Sequence, residues 1–457
     1  MADSNRLKTP ASKTPLAFWF FALAVALLPI GFGGNRPIPI GLAQALLAIS
    51  AAMLVFDKKI LSETYIFSRI KIALGLSFIV AMWAWLQTLS IFPSAWNHPL
   101  WREAANVLLV KVNGSIAINP ENAITGLTRY LTYIACGMLA YVFGQSTERG
   151  KLLLKAIWYA GVALCAYGIV VYLTGNKTIL WFDKWAYEGD LTATVVNRNH
   201  FAIIAGMSFV TGAALLMQSF RDHIQKIAKP RPAKLMREWI LKTGMPQMGL
   251  LALVLICIVL SHSRAGLVLT LAGLGSYIFF YQLYLKAWKR GVLVGILGVA
   301  VLAAVFLIAG QLSGRFASLF HDSSSLDRFK VYKLTLSAIG DNPWLGYGLN
   351  GFEAVFHFYQ RNMVMDFNRA HSDWLESLLD LGIPVGLALW CTVGLLVSGL
   401  WHGVLTRRRN GIYPALGLAA SVMILGHATI DFSMQIPAVM FFWLALVSVG
   451  LAQSWGQ

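Results

Sequence analysis

Apolar runs of about 20 residues recur along the whole chain, divided by short polar or turn-rich stretches. Each run is long enough to cross a hydrocarbon core of about 30 Å as a helix. The pattern predicts spans at 16–31, 38–56, 72–92, 124–144, 152–174, 199–218, 246–260, 266–285, 292–312, 383–401, 412–430 and 437–453. The predicted fold class is all-α: a polytopic membrane protein of about 12 transmembrane helices, read as a single integral membrane domain over 1–457. An even number of crossings places both termini on one side. The polar, basic stretch Met1 to Pro15 has no convincing small-residue cleavage site and is read as leading into a retained first helix.

Three connections on the other side are long: 93–123, 175–198 and 313–382. Loops of this length usually carry function or are disordered. The third, between helices 9 and 10, is patterned for helix. Leu326, Phe329, Tyr332, Leu336 and Ile339 recur at three to four residues, and Asp322 and Ser323–Ser325 offer caps. Asp341-Asn-Pro-Trp-Leu-Gly-Tyr-Gly348 breaks that helix with turn residues. A short helix is predicted at about 351–360. A third starts at His371-Ser-Asp373, where Ser372 or Asp373 can cap, and runs to Gly382. Segment 313–382 therefore reads as a large helical cap on one membrane face.

Composition agrees and narrows the class. The 457 residues are 57% hydrophobic and 12% charged, against about 25% charged in soluble proteins; a soluble enzyme and a disordered chain are both excluded. The net charge of +17 would suggest nucleic acid on a soluble protein. Sorted by side, however, the segments continuous with the N-terminus hold 23 Lys/Arg against 6 Asp/Glu, and the opposite segments hold 13 against 14. Lys/Arg-rich loops stay in the cytoplasm, so the charge reports topology and no nucleic-acid partner is expected. The termini are expected inside and the 313–382 cap outside. Cys136, Cys165, Cys257 and Cys391 all fall in spans without metal-ligand spacing and read as small buried hydrophobes.

Arginine near hydrocarbon is costly and needs a reason. Arg198, Arg264, Arg328, Arg361 and Arg369 all lie on the outer side, and Arg129 lies about one and a half turns inside the outer end of the fourth span. Cations kept on the side that should be depleted of them point to an anionic partner. A guanidinium fork suits phosphate oxygens. The bland alternative is snorkelling to lipid headgroups, or pairing with acids such as Asp183, Glu188, Asp190 and Asp327; it is preferred for Arg361 and Arg315. Among the histidines, His371 has the best claim to chemistry because it directly precedes a capped helix. The helix dipole there disfavours imidazolium, and a neutral imidazole can take a proton from a hydroxyl. Asp373 reads as a cap rather than a catalytic acid. No HExxH, P-loop or GxSxG is present, and no metal site is expected.

Five pieces in order resemble the O-antigen ligase and O-antigen polymerase superfamily of bacterial inner membranes. They are Thr194-Val-Val-Asn-Arg-Asn-His-Phe-Ala202, Ser261-His-Ser-Arg-Ala-Gly266, Asp327-Arg-Phe-Lys-Val-Tyr332, Asn342-Pro-Trp-Leu-Gly-Tyr-Gly348 and His371-Ser-Asp-Trp-Leu-Glu376 with Gly382 and Gly386. They span a core of about 190–400; residues 1–190 match only in helical layout. The resemblance implies about twelve helices with a large periplasmic loop between the ninth and tenth. It implies a donor glycan on undecaprenyl pyrophosphate and chemistry with no metal, nucleotide or other cofactor. It implies that His371 is catalytic and that Arg264 and Arg328 bind the pyrophosphate, with a weaker carry-over to Arg198. Arg129, Arg369 and His200 are further candidates.

The reaction expected is transfer of the glycan to an acceptor hydroxyl at the periplasmic face of the inner membrane. The acceptor is lipid A-core for a ligase and a second lipid-linked glycan for an O-antigen or exopolysaccharide polymerase. A protein hydroxyl is less favoured, because the chain stops soon after the twelfth span. A transporter is also disfavoured: transporters hold polar sites near the midplane, and these spans are nearly free of ionisable residues.

Overall fold

The computed structural model describes residues 14–56, 67–225, 232–287, 289–290, 292–293, 323–360 and 367–455. The ninth predicted span, the N-terminal segment up to residue 13, the start of the cap at 313–322 and Arg361 lie outside the described residues. The helices are α1 Leu16–Leu27, α2 Pro37–Val55, α3 Lys71–Leu86, α4 Pro99–Leu108, α5 Pro120–Gly144, α6 Thr147–Leu173, α7 Arg198–Gln225, α8 Pro232–Trp239, α9 Met245–Leu260 and α10 Arg264–Tyr284. The cap follows as α11 Ser323–Asp341, α12 Phe352–Phe356 and α13 Asp373–Leu381. The chain ends in α14 Ile383–Thr406, α15 Ile412–Ala428 and α16 Pro437–Ser454. Apart from the ninth, each predicted span coincides with a helix. Among the described residues, six helices are long and apolar enough to cross a membrane, and four shorter apolar helices accompany them. The class is therefore an all-α polytopic membrane protein. A two-residue hairpin, Thr178–Ile179 with Phe182–Asp183, is the sheet found among the described residues.

Local chemistry explains the boundaries. Helix α5 begins four residues before the predicted span, because Asn119 Oδ1 accepts from Asn122 N and Pro120 sits at the first helical position. That shift matters for Arg129. It lies nine residues into α5, yet its guanidinium reaches Gln435 O, two residues before α16 begins. Arg129 therefore meets the turn that leads into α16.

Two helices form the centre. Of the apolar window in α16, 94% is buried, and in α7 83%, against 22–33% in the other long spans. A helix apolar on every side belongs inside protein; the others turn their exposed apolar faces toward lipid. The central helices are approached through small residues. A Cβ on Gly450 of α16 would stand 2.5 Å from Leu400 Cδ2 and 3.0 Å from Tyr413 O.

The cap has its own small core of Val331, Ala338, Tyr347, Phe352, Phe356 and Leu379. Its seat on the bundle is the turn 342–348 locked against the α13–α14 junction. Tyr347 N and Gly348 N donate to Asp380 O, and Ile383 N donates to Pro343 O. From α3, Gln87 Nε2 donates to Leu345 O and Asp380 O, and Trp83 Nε1 to Leu381 O. Gly346 and Gly382 both have left-handed φ, 68° and 77°, and face each other's backbone. A Cβ on Gly346 would meet Asp380 O at 2.5 Å, and one on Gly382 would meet Trp344 O at 2.5 Å. Here the motif glycines have a steric cause.

Three buried carboxyls hold the segments around α13. Glu376 accepts from Arg369 Nη1 and Ala370 N, and Asp380 from Asn350 N and Gly351 N. Asp373 accepts from Met434 N, fastening α13 to the turn between α15 and α16. Ser372 caps α13, accepting from Leu375 N, so Asp373 serves as a strut rather than the cap. Burial pushes the Asp373 carboxyl well above the usual range, with Glu376 and Asp431 adding to the rise.

Gly382→Ala is expected to loosen the cap, costing well over ~1 kcal/mol because strain and a backbone clash combine; faster proteolysis within 342–382 checks it. A carboxyl raised on folding costs stability as pH rises from its ordinary value toward the raised one, and the penalty stays in full above that. Asp373→Asn removes that penalty. Its thermal midpoint is therefore expected to equal the wild-type value at low pH and exceed it at neutral pH, as read by thermal unfolding in detergent.

Candidate functional site

At the cap end, one carboxylate ties together four segments far apart in sequence. Asp431 lies in the turn between α15 and α16 and is 2% exposed. Its Oδ1 is 3.2 Å from His371 Nδ1, and its Oδ2 accepts from Asn199 Nδ2 at 2.9 Å. Asn199 Oδ1 in turn accepts from Ser263 Oγ at 2.8 Å. Ser263 is also the cap of α10, accepting from Gly266 N. His200 Nε2 is 3.7 Å from Asp431 Oδ1, beyond hydrogen-bond length. Burial acts to raise the Asp431 carboxyl, but the imidazoles of His200 and His371 outweigh it and hold the group well below the usual carboxylate range. Asp431 is thus a fixed negative charge.

His371 is held in a strained backbone conformation by contacts on several sides. Its φ is 52°, a left-handed conformation that costs a non-glycine residue on the order of 1 kcal/mol or more. Tyr332 Oη donates to His371 O at 2.9 Å, and the Arg369–Glu376 pair fixes the residues just before it. Phe432 meets the ring edge-on at 5.2 Å. With Nδ1 directed at Asp431, a proton on Nδ1 leaves Nε2 with a free lone pair. Nε2 has no partner among the described residues, and the side chain is 22% exposed. This is the arrangement of a general base oriented by a carboxylate.

The cations gather unevenly. Arg198 opens α7 and pairs with Asp190 at 2.8 Å, while His262 Nδ1 is 2.8 Å from the other oxygen of the same carboxylate. The Arg198 guanidinium also lies over the Tyr187 ring at 5.5 Å. Arg328, on α11, is half-buried and makes no ion pair among the described residues. Its charge acts on Tyr187 and Tyr332: burial pushes both phenols up, and Arg328 works against that rise in each. Tyr187 also feels Asp431 and Arg198, so the charges of Arg198, Arg328 and Asp431 all reach one phenol. Arg264 is exposed at the first position of α10, immediately after Ser263. It joins the site through Ser263 and Asn199 rather than by a contact of its own.

Three further candidates fall elsewhere. Arg369 is engaged, with Nη1 2.9 Å from both Glu376 Oε1 and Asn350 Oδ1; it positions the His371 segment and is not free for phosphate. His200 is buried beneath Asp431, so it does not face a substrate. Arg129 is on the far side of the 431–436 turn, against Gln435 O. Sequence reasoning passed over Asp431, Asn199 and Tyr332. Asp431 had a legible signal: it is the single ionisable residue in the short segment between the last two spans. Among the described residues, no group of three or more His, Cys, Asp or Glu side chains is suited to a metal ion.

Compared with curated proteins, the chain finds no match. A family model described as O-antigen ligase matches residues 249–391. That stretch contains Arg264, Arg328 and His371, whereas Arg198, Asn199 and Asp431 come from outside it and complete the same site. Over residues 249–391, about a third of its length, the chain is therefore similar to the O-antigen ligase family.

Proposed function

We propose that the protein transfers a glycan from undecaprenyl pyrophosphate to an acceptor hydroxyl at the cap-side face of the membrane, which the charge distribution makes the periplasmic face of the inner membrane. The observation that carries this reading is the His371 Nδ1 contact with Asp431 at 3.2 Å. Asp431 fixes the imidazole tautomer. Nε2 takes the acceptor proton as the hydroxyl oxygen attacks the anomeric carbon. The bond from that carbon to the pyrophosphate oxygen breaks, and undecaprenyl pyrophosphate leaves. Asp431 stabilises the imidazolium formed. Arg264, Arg328 and Arg198 stabilise the charge growing on the leaving group. Attack opposite the leaving group inverts the anomeric centre.

Arg198 is already paired with Asp190, so its share is smaller than that of Arg328, which is free of ion pairs among the described residues. The acceptor favoured is lipid A-core, following the ligase description of the matched domain. A polymerase using a second lipid-linked glycan would employ the same base and arginines. The sugar-chain phenotype of a deletion separates them: polymer left on its carrier with bare core lipid for a ligase, a single repeat on the core for a polymerase.

In transfer assays with purified protein and lipid-linked glycan, His371→Ala is expected to lose about 10²–10⁴-fold in rate while still inserting and folding. Asp431→Asn is expected to lose at least about 10²-fold, because an amide neither fixes the tautomer nor stabilises imidazolium. Arg328→Ala is expected to lose about 10²–10³-fold. Near-normal transfer by His371→Ala removes the imidazole from the mechanism.

A further inference from the structure

Helices α3, α5, α16 and α14 pack each on the next in a ring. Among them lies a cavity of about 230 Å³ whose lining includes none of His371, Asp431, Arg198, Arg264 and Arg328. Its wall on α16 runs from Met440 to Leu451, about 16 Å of helix at roughly 1.5 Å per residue. That is about one leaflet of a hydrocarbon core roughly 30 Å thick. The wall is almost wholly apolar except at the cap end, where Arg129, Asn350, Asp373, Glu376 and Asp380 converge.

Among the described residues, the charges at that mouth resolve to one cation outside any ion pair. Glu376 is taken by Arg369, Asp380 accepts from two backbone N–H groups, and Asp373 accepts from Met434 N. Burial pushes both the Asp373 and Asp380 carboxyls well above the usual range, toward the neutral form. Arg129 is half-buried, touches the Gln435 carbonyl at 3.4 Å and makes no ion pair among the described residues. An unpaired guanidinium near hydrocarbon calls for an anion, and its fork suits phosphate oxygens.

Length and charge together select the occupant. A leaflet-long apolar slot fits an acyl chain and is too short for a polyprenyl chain of many units. One cation matches a single phosphate diester, whereas the three arginines across the 431–436 turn match a pyrophosphate. We propose that this cavity binds one acyl chain of an anionic phospholipid, with the lipid phosphate seated on Arg129. The site is separate from the donor site. Its occupant props the α13–α14 junction and the turn that carries Asp431, since Asp373 and Gln435 line its mouth.

The test reconstitutes the full chain in phosphatidylcholine nanodiscs containing phosphatidylglycerol with a diazirine on one acyl chain. After photolysis, label is expected in 134–138 and 440–451. Arg129→Gln is expected to lower it about fivefold or more, the loss of one charge-assisted contact, and Arg129→Lys to restore most of it. Gly137→Phe, which projects into the cavity where Ser448 Oγ and Leu444 Cδ2 leave room at 3.6 and 3.8 Å, is expected to exclude the chain. Labelling in His371→Ala is expected to be unchanged, so failure of the transfer mechanism does not touch this result. Equal labelling by the same diazirine on phosphatidylcholine, or no effect of Arg129→Gln, overturns the proposal. So does displacement of the label by undecaprenyl phosphate but not by phosphatidylglycerol. Should Arg129→Gln fail to insert, the headgroup comparison on the unaltered protein decides.

Discussion

A carboxylate buried at the membrane surface must find partners, and the geometry of the cap end follows from how Asp431 finds them. Leaving such a charge unpaired would cost several kcal/mol. Its two oxygens are met by His371 from the cap, Asn199 from the start of α7 and the backbone N–H of Phe432. Through Asn199 the charge also reaches Ser263, the cap of α10. Four segments, separated by as many as 232 residues, are brought to one point by the need to neutralise one group. The same contact that satisfies Asp431 orients the imidazole, so the stability of the fold and the chemistry of the site share one interaction.

The cap makes this possible by being rigid where it meets the bundle. Gly346 and Gly382 let two backbones touch, and the buried carboxyls of α13 capture the N–H groups on either side. The strained backbone at His371 is held between these fixed points. Two neighbouring acids take opposite states for a physical reason. Asp431 has imidazoles beside it and stays charged; Asp373 has mainly burial and other acids beside it and is driven toward the neutral form. The first suits a partner for a base in turnover, the second a structural strut.

Most of the fold was legible because lipid leaves little choice: backbone groups must be satisfied within a helix, so apolar length alone predicts the spans. The cap helices were legible from caps and three-to-four-residue periodicity. The capped helix after His371 was legible too, and Ser372 does cap it. The clustering of His371, Arg198 and Arg328 could only be an expectation, since no local pattern encodes which loops meet. Asp431 was not legible as a partner of His371, because the 60 residues that separate them carry no pattern that pairs the two. Arg129 is half-buried and meets the Gln435 carbonyl rather than the His371–Asp431 pair. Arg369 has the residue type for phosphate, but Glu376, seven residues on, claims it.

The central claim is that His371 and Asp431 act as one unit in removing the acceptor proton. A double-mutant cycle on glycan transfer tests it most directly, comparing His371→Ala, Asp431→Asn and the combined variant against the unaltered protein. Residues that act as a unit show strongly non-additive losses. The account predicts that the combined variant transfers no more slowly than His371→Ala alone. Losses that multiply, with the combined variant slower by the product of the two single effects, would contradict it.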